Sequence, residues 1–202
     1  MILLDLAGSG FSGRPSSFSY SIEGHARTVA ELVAYLAPDQ IDLFGHSMGG
    51  SVAVMAGHII GGRLRSLLLS EPNLDPGGGF FSRKIAQLPE EDYVLHGHHA
   101  LVSSSETEGN IIWASSLATS APYAVHRGAR SLVAGSNPTW RELLYDLAIP
   151  RTVIFGEASL PDPDAERLQQ NRVNVSIVRD AGHSMAWENP SGLAMALGCA
   201  LQ

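Results

Sequence analysis

The sequence has little of what several classes of protein require. It contains a single cysteine, Cys199, among 202 residues. An intrachain disulfide and a cysteine-rich zinc site are therefore excluded, and nothing calls for an oxidising compartment. Charged residues make up only 16%, with 13 lysines and arginines against 20 aspartates and glutamates. Because no basic cluster could neutralise several phosphates, we expect no nucleic-acid partner.

Long apolar runs are also missing. No run approaches the roughly 18 residues that a transmembrane helix needs. The N-terminal MILLDLAGSG has no basic region of the kind that begins a signal peptide, and the first cation is Arg14. We therefore expect a cytoplasmic protein with no membrane partner. What the sequence does have is 45% apolar residues and 21 glycines, a composition typical of a globular chain.

Short apolar runs alternate with longer segments of helical spacing. This alternation predicts βαβ units around a mostly parallel sheet flanked by helices, an α/β fold. The predicted strands are Ile2–Asp5, Ile41–Gly45, Leu67–Ser70, Thr152–Gly156 and Val173–Val178. The predicted helices outside the longest connection are Glu23–Leu36, Met48–Ile60 and one that begins near Pro190.

That longest connection separates the third and fourth predicted strands, where a crossover needs only about a dozen residues. It contains five segments of helical character, at 82–87, 92–102, 110–117, 123–133 and 139–147. The sequence therefore predicts a core formed by residues 1–74 and 150–202. Residues 75–149 are predicted to be an inserted helical cap.

The segment Gly45-His46-Ser47-Met48-Gly49 matches the pattern G-x-S-x-G between a predicted strand and a predicted helix. That context is typical of a nucleophile elbow. A serine hydroxyl is a weak nucleophile until it is held exposed beside a general base, and a sharp strand-to-helix turn holds it so. The pattern predicts Ser47 as the nucleophile. The free N–H groups at the start of the helix make the Met48 N–H the predicted oxyanion donor.

Four segments of the chain resemble the α/β-hydrolases, and specifically the soluble branch with a helical cap. They are DLAGSGFSGRP at 5–15, GHSMGG at 45–50, PRTVIFGE at 150–157 and AGHSMAWENP at 181–190. Their order and spacing match the family along the whole chain, with residues 75–149 the least similar. The resemblance implies that Ser47 is the nucleophile, that His183 is the base and that no cofactor or metal is required.

The family normally has about three strands ahead of the segment that begins here at Met1. The third of them lies between the strands predicted at 2–5 and 41–45, and an HG-type loop after it supplies the second oxyanion donor. The resemblance therefore implies an N-terminally short fold, through truncation, a misassigned start or natural loss, with an incomplete oxyanion hole. Loss of one such donor costs on the order of 10²- to 10³-fold in rate.

The carboxylate of a Ser-His-acid triad is where the sequence departs from the family. The usual acid lies two residues past the Gly-Glu that ends the strand before the last, and that place holds Ser159. Glu71 directly follows an earlier strand, where some members of the family carry the acid. A rigid strand end holds a carboxylate accurately, and Pro72 is expected to keep Glu71 extended. We predict Glu71 as the acid. The alternatives are Asp162, Asp164 and Glu157.

The other histidines suggest no metal site. His46 precedes the nucleophile on the buried side of the turn, where we expect it to pack and form hydrogen bonds. His96, His98 and His99 lie close together, but no cysteine or acidic ligand is evident near them. We therefore predict neither a metal nor another cofactor.

Together these features predict a serine hydrolase that cleaves a small, largely apolar ester, thioester or lactone through an acyl-enzyme. Its one predicted partner is the small-molecule substrate, and its oligomeric state is open. Dehalogenases and epoxide hydrolases of the family use an aspartate at the elbow, so Ser47 argues against both chemistries. The alternative is a non-catalytic ligand-binding or scaffolding protein, favoured by the absent front strands and by Ser159.

Overall fold

Four parallel strands form one sheet, in which each strand pairs with the next one along the chain. The computed structural model describes residues 1–202. The strands are β1 (Ile41–His46), β2 (Leu64–Ser70), β3 (Arg151–Gly156) and β4 (Asn174–Val178). Because all four run in the same direction, the residues just beyond their carboxyl ends meet at one edge of the sheet.

The two central strands carry the core of this sheet. Leu67, Leu68 and Leu69 of β2 are buried, as are Val153, Ile154 and Phe155 of β3. These near-continuous apolar runs fit strands that are covered on both faces. The outer strands are more open, and Phe44 of β1 and Ile177 of β4 expose 42% and 51% of their surfaces.

The three helices predicted outside the longest connection are confirmed, near 22–36, at 48–60 and after Pro190. In chain order they are α1 (Ile22–Leu36), α2 (Met48–Ile60), α3 (Phe80–Ala86), α4 (Glu90–Asp92), α5 (His98–Thr107), α6 (Ile111–Ala118), α7 (Pro122–Ala134), α8 (Trp140–Asp146), α9 (Pro163–Gln170), α10 (Met185–Glu188) and α11 (Pro190–Ala200). A short π-helix at Tyr93–Gly97 joins α4 to α5, and single 3₁₀ turns lie at Gly61–Arg63 and Glu157–Ser159. Not one of these helices has the length and apolar character to cross a membrane.

The strand predicted at Ile2–Asp5 is wrong, whereas the other four are confirmed to within three residues. Residues 2–5 form no ladder with any strand, and Ile2 and Leu3 expose 66% and 86% of their surfaces. An apolar run becomes a strand only when a neighbour pairs with its backbone groups, and no strand pairs with this one. Asp5 instead organises the following turn, where its carboxylate accepts the Phe11 N–H at 3.0 Å.

The chain forms two compact units. The sheet unit comprises residues 26–75 and 136–202, and the helical unit comprises residues 1–25 and 76–135. These bounds differ from the predicted 1–74, 75–149 and 150–202, because residues 1–25 lie in the helical unit and α8 lies in the sheet unit. The reason for the second difference is local: α8 packs on α2, and the His58 ring bonds the Leu143 carbonyl at 2.8 Å. That residues 75–149 act as a cap stays a prediction.

Candidate active site

Ser47 lies on a strained turn between β1 and α2, within the sheet unit. Its φ of 51° and ψ of −121° lie in a region that costs a residue other than glycine about 1–3 kcal/mol. The turn is held because the Ser47 N–H donates to the Ser70 carbonyl at 2.9 Å. A Cβ at Gly45 would lie 2.3 Å from the Gly49 carbonyl oxygen, so the turn requires a glycine there. The structure thus has the strand-turn-helix geometry that G-x-S-x-G predicts.

The loop that carries His183 is fixed against the end of β3. The Ala158 N–H donates to the Ala181 carbonyl at 2.9 Å, and the Gly182 N–H donates to the Glu188 carboxylate at 2.7 Å. A Cβ at Gly156 would lie only 2.4 Å from the Gly182 carbonyl oxygen. A glycine at the end of β3 therefore allows the backbone of the His183 loop to approach closely.

These elements bring Ser47, His183 and Glu71 together. The Nε2 atom of His183 is 3.2 Å from the Ser47 hydroxyl, within hydrogen-bonding distance. The Nδ1 atom of His183 is 3.9 Å from Oε2 of Glu71, which is an ion-pair distance and too long for a formed hydrogen bond. Contacts of this kind commonly shorten when a substrate binds. The serine, the imidazole and the carboxylate therefore have the order that a triad needs, with one ring nitrogen facing each partner.

Glu71 has a backbone conformation that differs from the expected one. Its φ is +46°, so the expectation that Pro72 keeps it extended is wrong. The Glu71 N–H donates to the Ile154 carbonyl at 3.1 Å, and Oε1 accepts the Gly156 N–H at 2.9 Å. These two bonds to β3 outweigh the local preference imposed by proline. They turn the chain sharply after β2 and aim the carboxylate across the sheet edge toward His183.

The surroundings of Glu71 favour its charged form. Burial by itself raises the pKa of this carboxyl group, whose side chain is 10% exposed. The adjacent His183 ring, then the Gly156 N–H and then the Ser159 hydroxyl, outweigh burial and lower the pKa below its ordinary value. Glu71 is therefore an anion at neutral pH, as a residue that orients and stabilises an imidazolium must be.

The three alternative carboxylates have other partners. Asp162 is the N-cap of α9 and accepts the Asp164 N–H at 2.7 Å. Asp164 lies 2.6 Å from a guanidinium nitrogen of Arg141, and Glu157 accepts the Asp180 N–H at 3.2 Å. Of the four candidates, Glu71 is the one with an ion-pair contact to His183. The role of Glu71 as the acid stays a prediction.

His46 contacts both Ser70 and the ring of His183. Its Nδ1 atom lies 2.9 Å from the Ser70 hydroxyl, and its ring centre is 4.8 Å from that of His183. Burial, followed by the nearby charge of His183, lowers the pKa of His46. A neutral, hydrogen-bonded ring at this position agrees with the packing role expected from the sequence.

Met48 is the first residue of α2, so its N–H has no acceptor within the helix. Beside it, a Cβ added at Gly49 would meet nothing within 4 Å. A free donor next to open space suits the predicted oxyanion role, which stays a prediction.

The predicted metal-free character of the histidine cluster also stays a prediction. His98 lies in the helical unit, where its Nδ1 atom is 3.0 Å from the Tyr93 hydroxyl. Across residues 1–202, no three histidine, cysteine, aspartate or glutamate side chains are arranged to hold a metal ion.

Comparison with known proteins decides the family. The model of the alpha/beta hydrolase family matches residues 2–196. The chain belongs to the alpha/beta hydrolase family. Among curated relatives, haloalkane dehalogenase 2 of Mycobacterium bovis and that of Mycobacterium tuberculosis are each 30% identical to this chain over 95 residues, which cover 45% of this chain and 33% of the relative. The match thus spans about a third of the length of these relatives.

Solved structures share the fold of this chain. The esterase EaEST from Exiguobacterium antarcticum has a TM-score of 0.78 at 18% identity, with 98% of this chain and 80% of that chain covered. The bromoperoxidase from Bacillus anthracis has a TM-score of 0.77 at 15% identity, with 98% and 79% covered. At such identities the likeness shows the fold alone.

Two residues near the site have a relation to Glu71 that the sequence did not reveal. The Gly156 N–H donates to the Glu71 carboxylate at 2.9 Å, and the Ser159 hydroxyl lies near enough to help lower its pKa. In the sequence, Ser159 stands out only because it occupies the place of the usual acid. A serine in that place, combined with a glutamate after the preceding strand, is the signal that would have found the pair.

Acidic pH is expected to destabilise the protein. Burial lowers the pKa of His25, His46 and His98. As the pH falls below about 6.5, the unfolded chain therefore binds protons that the folded chain does not. Stability is then lost with a slope of up to about 1.4 kcal/mol per pH unit for each such proton. The lowered pKa of Glu71 acts in the same direction at lower pH.

Urea unfolding at pH 7.5, 6.5 and 5.5 measures this slope, and His98→Gln should reduce it by the share of one histidine. A free energy of unfolding that is flat or rises toward pH 5.5 contradicts the prediction.

Proposed function

We propose that the protein is a serine hydrolase that cleaves a small, largely apolar ester, thioester or lactone through an acyl-enzyme. The observation that carries the proposal is the 3.2 Å contact between Nε2 of His183 and the hydroxyl of Ser47. Ser47 sits on a strained turn that exposes its hydroxyl at the carboxyl edge of the sheet. A serine held in this way beside an imidazole nitrogen is suited to nucleophilic attack on a carbonyl carbon.

The proposed reaction has two halves. In the first, the Ser47 oxygen attacks the carbonyl carbon while His183 takes the hydroxyl proton, and the Met48 N–H donates to the oxyanion. The tetrahedral intermediate then collapses, and the leaving alkoxide or thiolate takes that proton from His183. In the second half, water attacks the acylated Ser47, His183 accepts a proton from the water and returns it to the serine, and the carboxylic acid is released. Glu71 orients the ring and stabilises the imidazolium.

Carbon–halogen cleavage is suggested by the name of the dehalogenase relatives, but it does not suit a serine at the elbow. An aspartate nucleophile displaces a halide to form an alkyl ester, which water can cleave at the ester carbonyl. Ser47 would instead form an alkyl ether, which has no carbonyl for water to attack, and the enzyme would be inactivated after one turnover. Acyl chemistry is therefore the better proposal for Ser47.

Covalent labelling by a fluorophosphonate probe tests the proposal. We expect the folded wild-type protein to be labelled at Ser47, because the probe phosphorus accepts the same attack as an ester carbonyl. Ser47→Ala should abolish both labelling and hydrolysis of p-nitrophenyl butyrate. Ser115→Ala provides a matched serine control, since Ser115 is exposed on α6 and its hydroxyl donates to the Ile111 carbonyl of the same helix at 2.8 Å.

A non-catalytic ligand-binding or scaffolding role is the second candidate. It is favoured because Nδ1 of His183 and Oε2 of Glu71 are 3.9 Å apart, too far for a formed hydrogen bond. A folded wild-type protein that remains unlabelled and does not hydrolyse the ester would support this second role and overturn the first.

A further inference from the structure

Arg141 on α8 lies at the junction of the loops that follow β2 and β3. Its side chain is 4% exposed. Two of its guanidinium nitrogens donate to the same carboxylate oxygen of Asp75, Nε at 2.9 Å and Nη2 at 2.5 Å. Nη2 is also 2.6 Å from Oδ2 of Asp164. One buried cation therefore joins residues of two separate loops.

The first of these loops, residues 71–75, carries Glu71. It is held on one side by α2, because the Ser51 hydroxyl donates to the Asn73 carbonyl at 2.6 Å. It is held on the other side by α8, because the backbone N–H of Arg141 donates to the Leu74 carbonyl at 2.9 Å. The side chain of Arg141 thus adds an ionic contact to a loop whose backbone it already binds.

The second loop, residues 157–164, carries Ser159, whose hydroxyl lies near enough to Glu71 to help lower the pKa of that carboxyl group. The loop leads into α9, and Asp164 lies in the first turn of that helix. The surroundings of the Glu71 carboxylate therefore come from both loops: its own backbone belongs to the first, and Ser159 belongs to the second.

Arg141 supplies the only positive charge in these contacts. Burial by itself lowers the pKa of the guanidinium, but the bonds to Asp75 and Asp164 more than offset burial, and the pKa is raised. Without this cation the two carboxylates would face each other with no neutralising partner, which is strongly unfavourable in a partly buried setting.

We propose that Arg141 is a positioning residue for the triad acid. By holding the two loops at a fixed separation, it sets the reach of the Glu71 carboxylate toward His183. This inference rests on the proposed serine-hydrolase function and on Glu71 as the acid.

The first test is Arg141→Met, assayed with p-nitrophenyl butyrate. We expect kcat to fall between about 10- and 100-fold, the cost of a misplaced catalytic group, with KM within about twofold. The loss should fall on kcat and not on KM, because Arg141 does not touch the substrate but acts through Glu71. An unchanged kcat, or an equal change in KM, would overturn the inference.

A double-mutant cycle with Glu71→Gln separates positioning from a general loss of structure. If Arg141 acts through Glu71, then Arg141→Met should change kcat by less than about threefold once Glu71→Gln is present, because the contact it supports is already lost. A merely structural role predicts additive losses, so a further tenfold fall in the double variant would contradict the proposal.

Asp164→Asn keeps the test decisive if Arg141→Met does not fold. It leaves the fork to Asp75 in place and breaks only the link to α9, so a smaller loss of kcat with the same non-additivity is expected. An additive loss contradicts the proposal here as well. If Asp164 were itself the acid, Asp164→Asn alone would remove nearly all activity and Glu71→Gln would not.

Leu144→Ala is the matched control for stability, because Leu144 is fully buried on the same helix and takes no part in the ionic contacts. It should lower Tm at least as much as Arg141→Met while kcat stays within about twofold at 20 °C. Failure of the proposed function is distinguishable, because it gives either a folded wild-type protein without labelling and ester hydrolysis or an active Ser47→Ala variant. An inactive Ser47→Ala variant with an additive cycle overturns only the role of Arg141.

Discussion

Glu71→Gln is expected to leave the fold intact and to lower kcat about 10⁴-fold, the loss typical of a triad whose histidine takes the wrong tautomer. The amide oxygen of glutamine can still accept the Gly156 N–H, which Oε1 accepts at 2.9 Å. That orientation puts the amide NH₂ group where Oε2 now faces Nδ1 of His183. The ring must then accept at Nδ1 and carry its proton on Nε2, where it can no longer take the proton of Ser47.

Steady-state kinetics with p-nitrophenyl butyrate, together with Tm from thermal unfolding, measure this effect. Glu157→Gln and Asp162→Asn are the matched controls, since they neutralise carboxylates that accept backbone N–H groups of Asp180 and Asp164 and make no ion pair with His183. Both should retain most of the activity. If Glu71→Gln stays active while Asp162→Asn or Asp164→Asn is inactive, the acid belongs to the loop after β3.

Gly45→Ala is expected to destabilise the protein by about 3 kcal/mol and to abolish activity. The added Cβ would lie 2.3 Å from the Gly49 carbonyl oxygen and 2.9 Å from the Cβ of Ala53. Backbone atoms and a buried methyl group cannot move away as a flexible side chain can. The turn must therefore open, and the Ser47 hydroxyl moves away from Nε2 of His183.

Gly49→Ala is the matched control in the same turn. A Cβ there meets nothing within 4 Å, and alanine is favoured over glycine in a helix by up to about 1 kcal/mol. We expect the free energy of unfolding to stay equal or to rise. Equal losses of stability for Gly45→Ala and Gly49→Ala, measured by urea unfolding, would contradict the packing argument.

The parts of the site that the sequence predicts well are those fixed over a few residues. The strand-turn-helix around Ser47 follows from an apolar run, a glycine-flanked serine and a helical segment, and all three act locally. The segment before Asp5 shows where such local reasoning fails. Its apolar run resembles a strand, but a strand forms only with a pairing neighbour. Pairing is a property of the fold, so the run at residues 2–5 could not be judged from its own composition.

The backbone of Glu71 shows the same limit within the site. Proline at 72 favours an extended residue before it, and the sequence predicts that conformation. The bonds to Ile154 and Gly156 impose a positive φ instead, because two hydrogen bonds at a sheet edge outweigh one local preference. Glu71 was thus predicted as a site residue, but the backbone conformation that places it next to His183 is not the one that the sequence favours.

By itself, the sequence determined the parallel α/β architecture, the turn that presents Ser47 and the position of His183 after the last strand, because periodicity and turn chemistry act between near neighbours. Only the tertiary structure decided which carboxylate faces His183, since Glu71 and the later acids are equally plausible as residue types. Their difference lies in partners brought together from distant parts of the chain: Glu71 with Gly156 and His183, and Asp164 with Arg141. Contacts across a sheet edge depend on how strands align, and no local pattern encodes that alignment.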